Sequence, residues 1–260
     1  MGLITLTTDW GLRDYYAAAA KGAIYNLYSE AVVVDISHQI PPFDIIQASL
    51  VLKNSYKYFP KGTVHIVEVK AQAVNIANAH LAITHEGQYF IGADNGIFSL
   101  VLDEMPNNIV EIITDNHFSC FPTKDIYIKA ACHLSKGGKL EDLGNKKEKY
   151  LERLMLRATT DEASIKGSII YIDDFGNIIT NISRDLFEQI RKGRKYNIFI
   201  RRFEYEISDV SQSYGEVPEG EKVAIFNSSG YLEVAINEGK ASNLLGLSLN
   251  DTIRIDFYDN

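Results

Sequence analysis

The hydrophobic pattern of this 260-residue chain changes character near its middle, and that change constrains the fold more than any other feature. Through the first half, short β-branched runs alternate with segments of helical spacing. Residues 4–7 read as a strand, 15–28 as a helix, 31–35 (AVVVD) as a buried strand, and 43–58 as a helix with apolar Ile45, Ile46, Leu50, Leu52 and Tyr56. Residues 63–69 form a third strand, and 80–83 with 89–91 a strand pair around a His-Glu-Gly turn. A further strand at 109–114 and a helix at 123–134 follow. This alternation predicts βαβ units and a mostly parallel sheet. Beyond a charge-dense stretch at 136–157 the helical spacing almost stops. KGSIIYIDD, NIITNI, KYNIFIRR, KVAIFNSS, YLEVAIN and DTIRIDFYD are short strand-like runs, and only 185–192 and 240–245 look helical. Regular short strands with turn signals predict a small β-barrel or sandwich. The expected class is α/β: an N-terminal α/β domain over 1–150 and a C-terminal small β-barrel over 160–260.

Composition narrows the partners. A formal charge of −8 with no basic stripe argues against a nucleic-acid backbone and against attachment to an anionic membrane. Cys120 and Cys132 are the only cysteines and lack metal-type spacing, which suits a reducing compartment without structural disulfides. A strand begins at once, leaving no room for a signal peptide, and no apolar run approaches the roughly 20 residues of a membrane span. The expectation is a soluble cytoplasmic protein. No Walker loop, GxSxG elbow or GxGxxG occurs, His65, His80, His85, His117 and His133 show no mutual metal spacing, and no metal or organic cofactor is expected.

Three clusters carry candidate chemistry. In LTTDWGLRDYY, Asp9 and Asp14 stand five residues apart around Gly11, between the first strand and the first helix. Ligands of open α/β sheets bind at that end of the strands, and two carboxylates there suit a donor-rich ligand such as a ribose diol or an ammonium group. The alternative is structural, with Asp14 capping the helix and Asp9 closing an Asx turn. In IDDFGNIITNI, Phe175 beside Asn177 is a suitable pair for a base, with stacking from the ring and hydrogen bonds from the amide; DFGN is equally adequate hairpin chemistry. In FNSSGYLEVAINEG, Ser228 and Ser229 precede Gly230, where hydroxyls and N–H groups suit a carboxylate, or simply make a turn. His38 lies on the same rim as Asp9, with Phe43 close behind, and Asp94-Asn95-Gly96 reads as a tight turn.

Together these stretches resemble the S-adenosyl-L-methionine hydroxide adenosyltransferase family, which is related to the adenosyl halogenases (fluorinase and chlorinase). TTDWGLRDYY is similar to the opening TTDFG-x-x-D motif, VVVDISHQIPPFDIIQAS to the DI-S/T-H-x-I-P-P-F-D block, and GADNGIFSLVL to the PDNG segment. IDDFGNIITNI and NSSGYLEVAINEGKASNLLGL resemble two stretches of the C-terminal domain. The resemblance implies a homotrimer that binds S-adenosylmethionine between the N-terminal domain of one subunit and the C-terminal domain of a neighbour. By motif position Asp9 would hold the ribose diol and Asp14 would help with the methionine end. Phe43 would pack in the pocket, Asp173 would meet the ammonium, Phe175 and Asn177 the adenine, and Ser228 and Ser229 the methionine carboxylate. The activity implied is hydrolysis to adenosine and methionine.

The resemblance breaks at the reaction centre. The hydrolases end their third strand in Val-Asp-Pro-Gly-Val-Gly with an Arg soon after, and carry a His in Phe-His-Gly-Arg-Asp. Here Lys70 stands at the Asp, Ala71 and Gln72 replace Pro-Gly, no Arg precedes His80, Pro122 stands at the His and Lys124 at the Arg. A charged Lys70 about 6 Å from a sulfonium, at an effective dielectric near 20, would cost roughly 3 kcal/mol. Lys70 is therefore either a neutral, buried base that catalyses, or an outward-pointing residue at a dead centre. Two readings follow: a hydrolase with a rearranged catalytic set, or a non-catalytic protein that binds adenosine or S-adenosylmethionine.

Overall fold

A computed structural model describes residues 2–71, 79–106, 108–114, 119–201 and 205–259. The chain divides into two compact units, with the boundary between Met155 and Leu156.

The first unit is built on seven strands: β1 (Leu3–Thr8), β2 (Val32–Ser37), β3 (Val64–Glu68), β4 (His80–His85), β5 (Gln88–Ala93), β6 (Asn108–Ile112) and β7 (Gly144–Lys147). Their order across the sheet is β2-β1-β3-β5-β4-β6-β7. Helices α1 (Tyr16–Leu27), α2 (Ile45–Tyr56) and α3 (Ile97–Val101) follow β1, β2 and β5. A π-helical turn, Thr123–Tyr127, runs directly into α4 (Ile128–Ser135).

Both sheet faces are covered, so β1 and β3 are buried along almost their whole length. Ile4, Leu6, Val64 and Ile66 pack against Ala20 and Ile24 of α1 and Ile128 and Ala131 of α4. On the opposite face Val67, Phe90 and Leu81 meet Ala48, Leu52 and Tyr56 of α2 and Phe98 of α3. Each fully buried aliphatic or aromatic side chain contributes about 1.5–3 kcal/mol. α1 begins at Tyr16 because its alanines favour helix, not because of a cap. Tyr15 is the N-cap, no side chain bonds the free amides, and Asp14 is exposed upstream. α2 is capped by Asp44, whose Oδ1 accepts from the N–H groups of Ile46 and Gln47, each at 3.0 Å.

The expected mostly parallel sheet is corrected to a mixed one. β2-β1, β1-β3 and β3-β5 pair parallel, whereas β5-β4, β4-β6 and β6-β7 pair antiparallel. The reversal comes from Glu86 and Gly87, whose φ angles of 51° and 80° form a two-residue hairpin turn. Parallel partners need a long crossover, which a two-residue loop cannot supply.

The second unit contains β8 (Thr159–Thr160), β9 (Ser164–Ile172), β10 (Ile178–Ser183), β11 (Lys195–Ile200), β12 (Tyr205–Ile207), β13 (Val210–Ser211), β14 (Lys222–Phe226), β15 (Tyr231–Ile236) and β16 (Thr252–Tyr258). The main path runs β12-β11-β16-β9-β10-β15-β14-β13, antiparallel except for β13-β14, with β8 on β9. Alternate residues such as Ile165, Ile169, Ile178, Ile198, Val234 and Ile255 face inward around Phe187 of α5 (Arg184–Arg191). A short α6 (Ala241–Leu244) follows β15. The sheet curls until β12 lies against β14. Among the described residues no ladder joins the end strands β12 and β13, so the unit is a nearly barrel-shaped sheet. No helix among the described residues is long and apolar enough to cross a membrane.

Candidate functional site

The order β2-β1-β3 makes the site legible from topology. The connection leaving β1 runs to β2 on one side, and the one leaving β3 runs to β4 and β5 on the other. The crevice outside the carboxyl ends of β1 and β3 is thus a switch point, where open α/β sheets bind ligands.

Asp9 stands immediately after β1. Its Oδ2 accepts from the Phe43 N–H at 2.8 Å, so it ties together two loops 34 residues apart in place of closing a local Asx turn. The Gly11 N–H donates to the His38 carbonyl at 2.6 Å, and Thr8 Oγ1 lies 2.7 Å from His38 Nδ1. Trp10 stacks on the His38 ring at 5.7 Å and meets Phe121 edge-on at 5.2 Å. His38 Nε2 is 3.1 Å from Asp35 Oδ1, but burial outweighs that pull and lowers its pKa. His38 is thus a strut beneath the turn. Phe43, at φ 68° and 70% exposed, offers an unpartnered aromatic face beside Asp9. Asp14, at the far end of the turn, is exposed.

The end of β3 differs. Lys70 is exposed at φ 51°, and the neighbouring carbonyls are what the fold holds. Asn95 Nδ2 donates to Val69 O at 2.9 Å and Lys70 O at 3.1 Å, while Asn95 Oδ1 accepts from the Ile97 N–H. The Asp-Asn-Gly turn is therefore a clamp on β3. Gln72 and His117 lie outside the described residues. Pro122 precedes the π-helical turn, and Lys124 pairs with Asp125 at 3.4 Å.

The residue that sequence reasoning missed is Glu68. It is 8% exposed, and its Oε2 accepts from the Thr123 N–H at 2.7 Å. Burial pushes its carboxyl up to about 7, with Asp9 adding to the rise; Thr123 and Trp10 pull the other way. The Thr123 hydroxyl is close enough to help hold the carboxylate down, yet it is buried and completes no hydrogen bond among the described residues. Tyr127, fully buried one helical turn on, has its phenol raised by burial and by Glu68. Its OH lies 2.9 Å from His80 Nδ1. The available signal was one acidic residue on the inward phase of VHIVEV, where strand periodicity alone demands an apolar side chain.

In the second unit, the loop between β9 and β10 is a closed hairpin turn. Asp173 Oδ1 accepts from the Asn177 N–H at 2.8 Å and Oδ2 from Asn177 Nδ2 at 3.1 Å. Gly176 turns at φ 80°, and a Cβ there would lie 2.9 Å from that of Lys240, so only glycine fits. The same turn lines a groove of about 630 Å³ with Asp173, Phe175, Asn177, Tyr214 and Lys240. Phe175 is 76% exposed over it. Turn chemistry and an open groove coexist here. Ser228 and Ser229 are exposed outside that lining, in a turn set by Asn227, whose Oδ1 accepts from Ser229 N–H at 3.0 Å. Buried Glu233 accepts from Asn227 Nδ2 at 3.1 Å and from the Tyr214 hydroxyl at 2.6 Å, linking the serine turn to the groove wall.

Comparisons with known proteins cover both units. The SAM hydroxide adenosyltransferase N-terminal domain matches residues 4–144 and the C-terminal domain of the same name matches residues 167–254. An (R)-S-adenosyl-L-methionine hydrolase of Thermus thermophilus is 31% identical, over 95% of this chain and 97% of its own. The protein of the same name from Methanocaldococcus jannaschii is 30% identical, over 98% and 96%. A crystal structure of a conserved protein from Thermotoga maritima superposes with a TM-score of 0.87 at 31% identity, covering 98% of this chain and 99% of the other.

Proposed function

The chain belongs to the SAM hydroxide adenosyltransferase family, and from that premise we propose that it hydrolyses S-adenosylmethionine to adenosine and methionine. The observation that carries the reading is the pairing of Asp9 with an exposed Phe43 in one unit and of Asp173 and Asn177 with an exposed Phe175 in the other. Each pairing puts carboxylate acceptors next to an aromatic face, as a ligand with a diol, an ammonium and a purine requires. In this reading Asp9 takes the ribose diol, Asp14 assists at the methionine end, and Phe43 packs against the ligand. Asp173 meets the ammonium, Phe175 stacks on adenine and Asn177 bonds its edge, and Ser228 with Ser229 receives the carboxylate. The two sets come from different subunits of a homotrimer, whose closed ring follows from a heterologous interface. A chain with Cys120 and Cys132 as its two cysteines suits a cytoplasmic setting.

One observation favours a second reading, binding without turnover. Lys70, at the position of the family's Asp, is exposed, and Pro122 and Lys124 occupy the positions of its His and Arg. Incubating the protein with S-adenosylmethionine and separating products by liquid chromatography decides between the two. Hydrolysis gives adenosine and methionine in equal amounts; binding alone gives calorimetric heat and no product. Neither heat nor product at millimolar ligand overturns both.

A further inference from the structure

The missing Asp, Arg and His leave open which group prepares the water, and Lys70 is poorly placed to do so. Its side chain is exposed, and among the described residues Asn95 holds its carbonyl. Two residues earlier the strand supplies a better candidate. Glu68 continues the inward phase of Val64 and Ile66 and is the register partner of Thr8, the residue before Asp9. It therefore reaches the crevice at the switch point from the strand adjoining the Asp9 turn. The Thr123 N–H, at the start of the helical segment, orients its Oε2 at 2.7 Å. The Thr123 hydroxyl, with no exposed surface, completes no hydrogen bond among the described residues. Buried polar groups are nearly always satisfied, so an unpartnered hydroxyl beside a buried carboxylate marks a place for one more polar molecule.

We propose that Glu68 is the general base of the hydrolysis and that the Thr123 hydroxyl orients the attacking water. This rests on the hydrolase reading above. The water oxygen bonds to the 5′ carbon as the carbon–sulfur bond breaks, and that bonding pair stays on sulfur, turning the sulfonium into the neutral thioether of methionine. The water proton passes to the Glu68 carboxylate and from there to solvent. Adenosine, methionine and one proton leave, and no oxidant, reductant or further reactant enters.

Charge supports the assignment. The titratable groups facing Glu68 are Asp9 from the turn after β1 and Tyr127 from the helical segment; Tyr127 in turn meets His80 of β4. With a carboxyl near 7, Glu68 exchanges its proton around neutrality, where a general base is most effective. A sulfonium bound nearby favours the ionised form, so substrate lowers the pKa of its own base.

The test compares Glu68→Gln and Glu68→Asp with wild type in the full chain, by single-turnover adenosine formation and by calorimetric affinity for S-adenosylmethionine. Glutamine keeps an acceptor for Thr123 and cannot take a proton. Glu68→Gln should lose about 10²–10⁴-fold in rate, keep its affinity within about twofold, and lose the ascending limb of the pH profile near 7. Glu68→Asp should retain that limb at a reduced rate. Equal rates in wild type and Glu68→Gln overturn the role of Glu68 and leave the hydrolase reading standing. Affinity lost together with rate in both variants makes Glu68 structural and also overturns it. Ligand binding without adenosine from wild type overturns the hydrolase reading, and the role of Glu68 with it.

Discussion

Strands β1 and β3 lie side by side and parallel, yet the turns that leave them have opposite characters. After β1, Asp9 is half-buried and tied to the Phe43 amide across the crevice. After β3, Lys70 is exposed, and a buried carboxylate, Glu68, sits two residues back, inside the strand. On the proposed reading, ligand contacts and reaction chemistry separate even on adjacent strands. Asp9 depends on a partner loop and reaches outward, whereas Glu68 depends on burial and faces in. A chain can keep the first and relocate the second, provided the sheet gives the new group a desolvated position.

The largest expected effect after the rate loss of Glu68→Gln is on stability against pH, and it sharpens the contrast within β3 itself. Glu68 holds its proton more tightly when folded, at about 7 against an ordinary 4.5. Its contribution is full below the lower value and is lost as pH rises through the higher. His65, on the opposite face, is pulled down to about 4 from 6.5 by burial, although Gln88 bonds it at 2.6 Å. Its contribution is full above 6.5 and is lost as pH falls through 4. Each is worth about 3 kcal/mol across its window. Urea unfolding of Glu68→Gln should therefore show a gain of that order over wild type at pH 8 and little at pH 4. An unchanged alkaline limb would mean that Glu68 is not desolvated, and the contrast between the two turns would collapse.

Asp9→Ala addresses the other turn. Loss of a charge-assisted hydrogen bond to the ribose should weaken S-adenosylmethionine binding by about 1.5–3 kcal/mol. The loss of stability near neutrality should shrink only slightly, because burial outweighs the part that Asp9 adds to the Glu68 shift. Calorimetry and unfolding on the same preparation test both halves, and unaltered affinity removes Asp9 from the site. The smallest effect is expected for Lys70→Ala. An exposed side chain whose backbone alone is clamped should change stability by less than about 0.5 kcal/mol, and adenosine formation should stay within about twofold of wild type. A collapse in rate with affinity retained would move the chemistry from Glu68 to Lys70 and invert the comparison.

Much of this arrangement is legible in the chain. Apolar periodicity marks β1, α1, β2, α2 and β3, and each of these lies within two residues of its expected bounds, because periodicity and turn chemistry act over a few residues. The clusters around Asp9, Asp173 and Asn227 stand out for the same reason. Local reasoning left each with two roles, and the contacts resolve the structural side differently in each case. Asp14 caps nothing, Asp9 bonds across 34 residues, and Asp173 with Asn177 closes a hairpin that also faces a groove.

The β4-β5 hairpin was legible as a strand pair around its turn, but the antiparallel pairing of β4 with β6 and of β6 with β7 was not, since their apolar runs look alike in either direction. Nor was Glu68. Its amide partner is 55 residues away, and the basicity of a carboxylate is set by how much water the whole fold removes from it. By itself the sequence determined where strands and helices begin, which turns carry polar groups, and which of those match the family. Tertiary structure alone decided strand order, the switch point between β1 and β3, and the desolvation that separates Glu68 from an ordinary acid, because each depends on contacts between residues far apart in the chain.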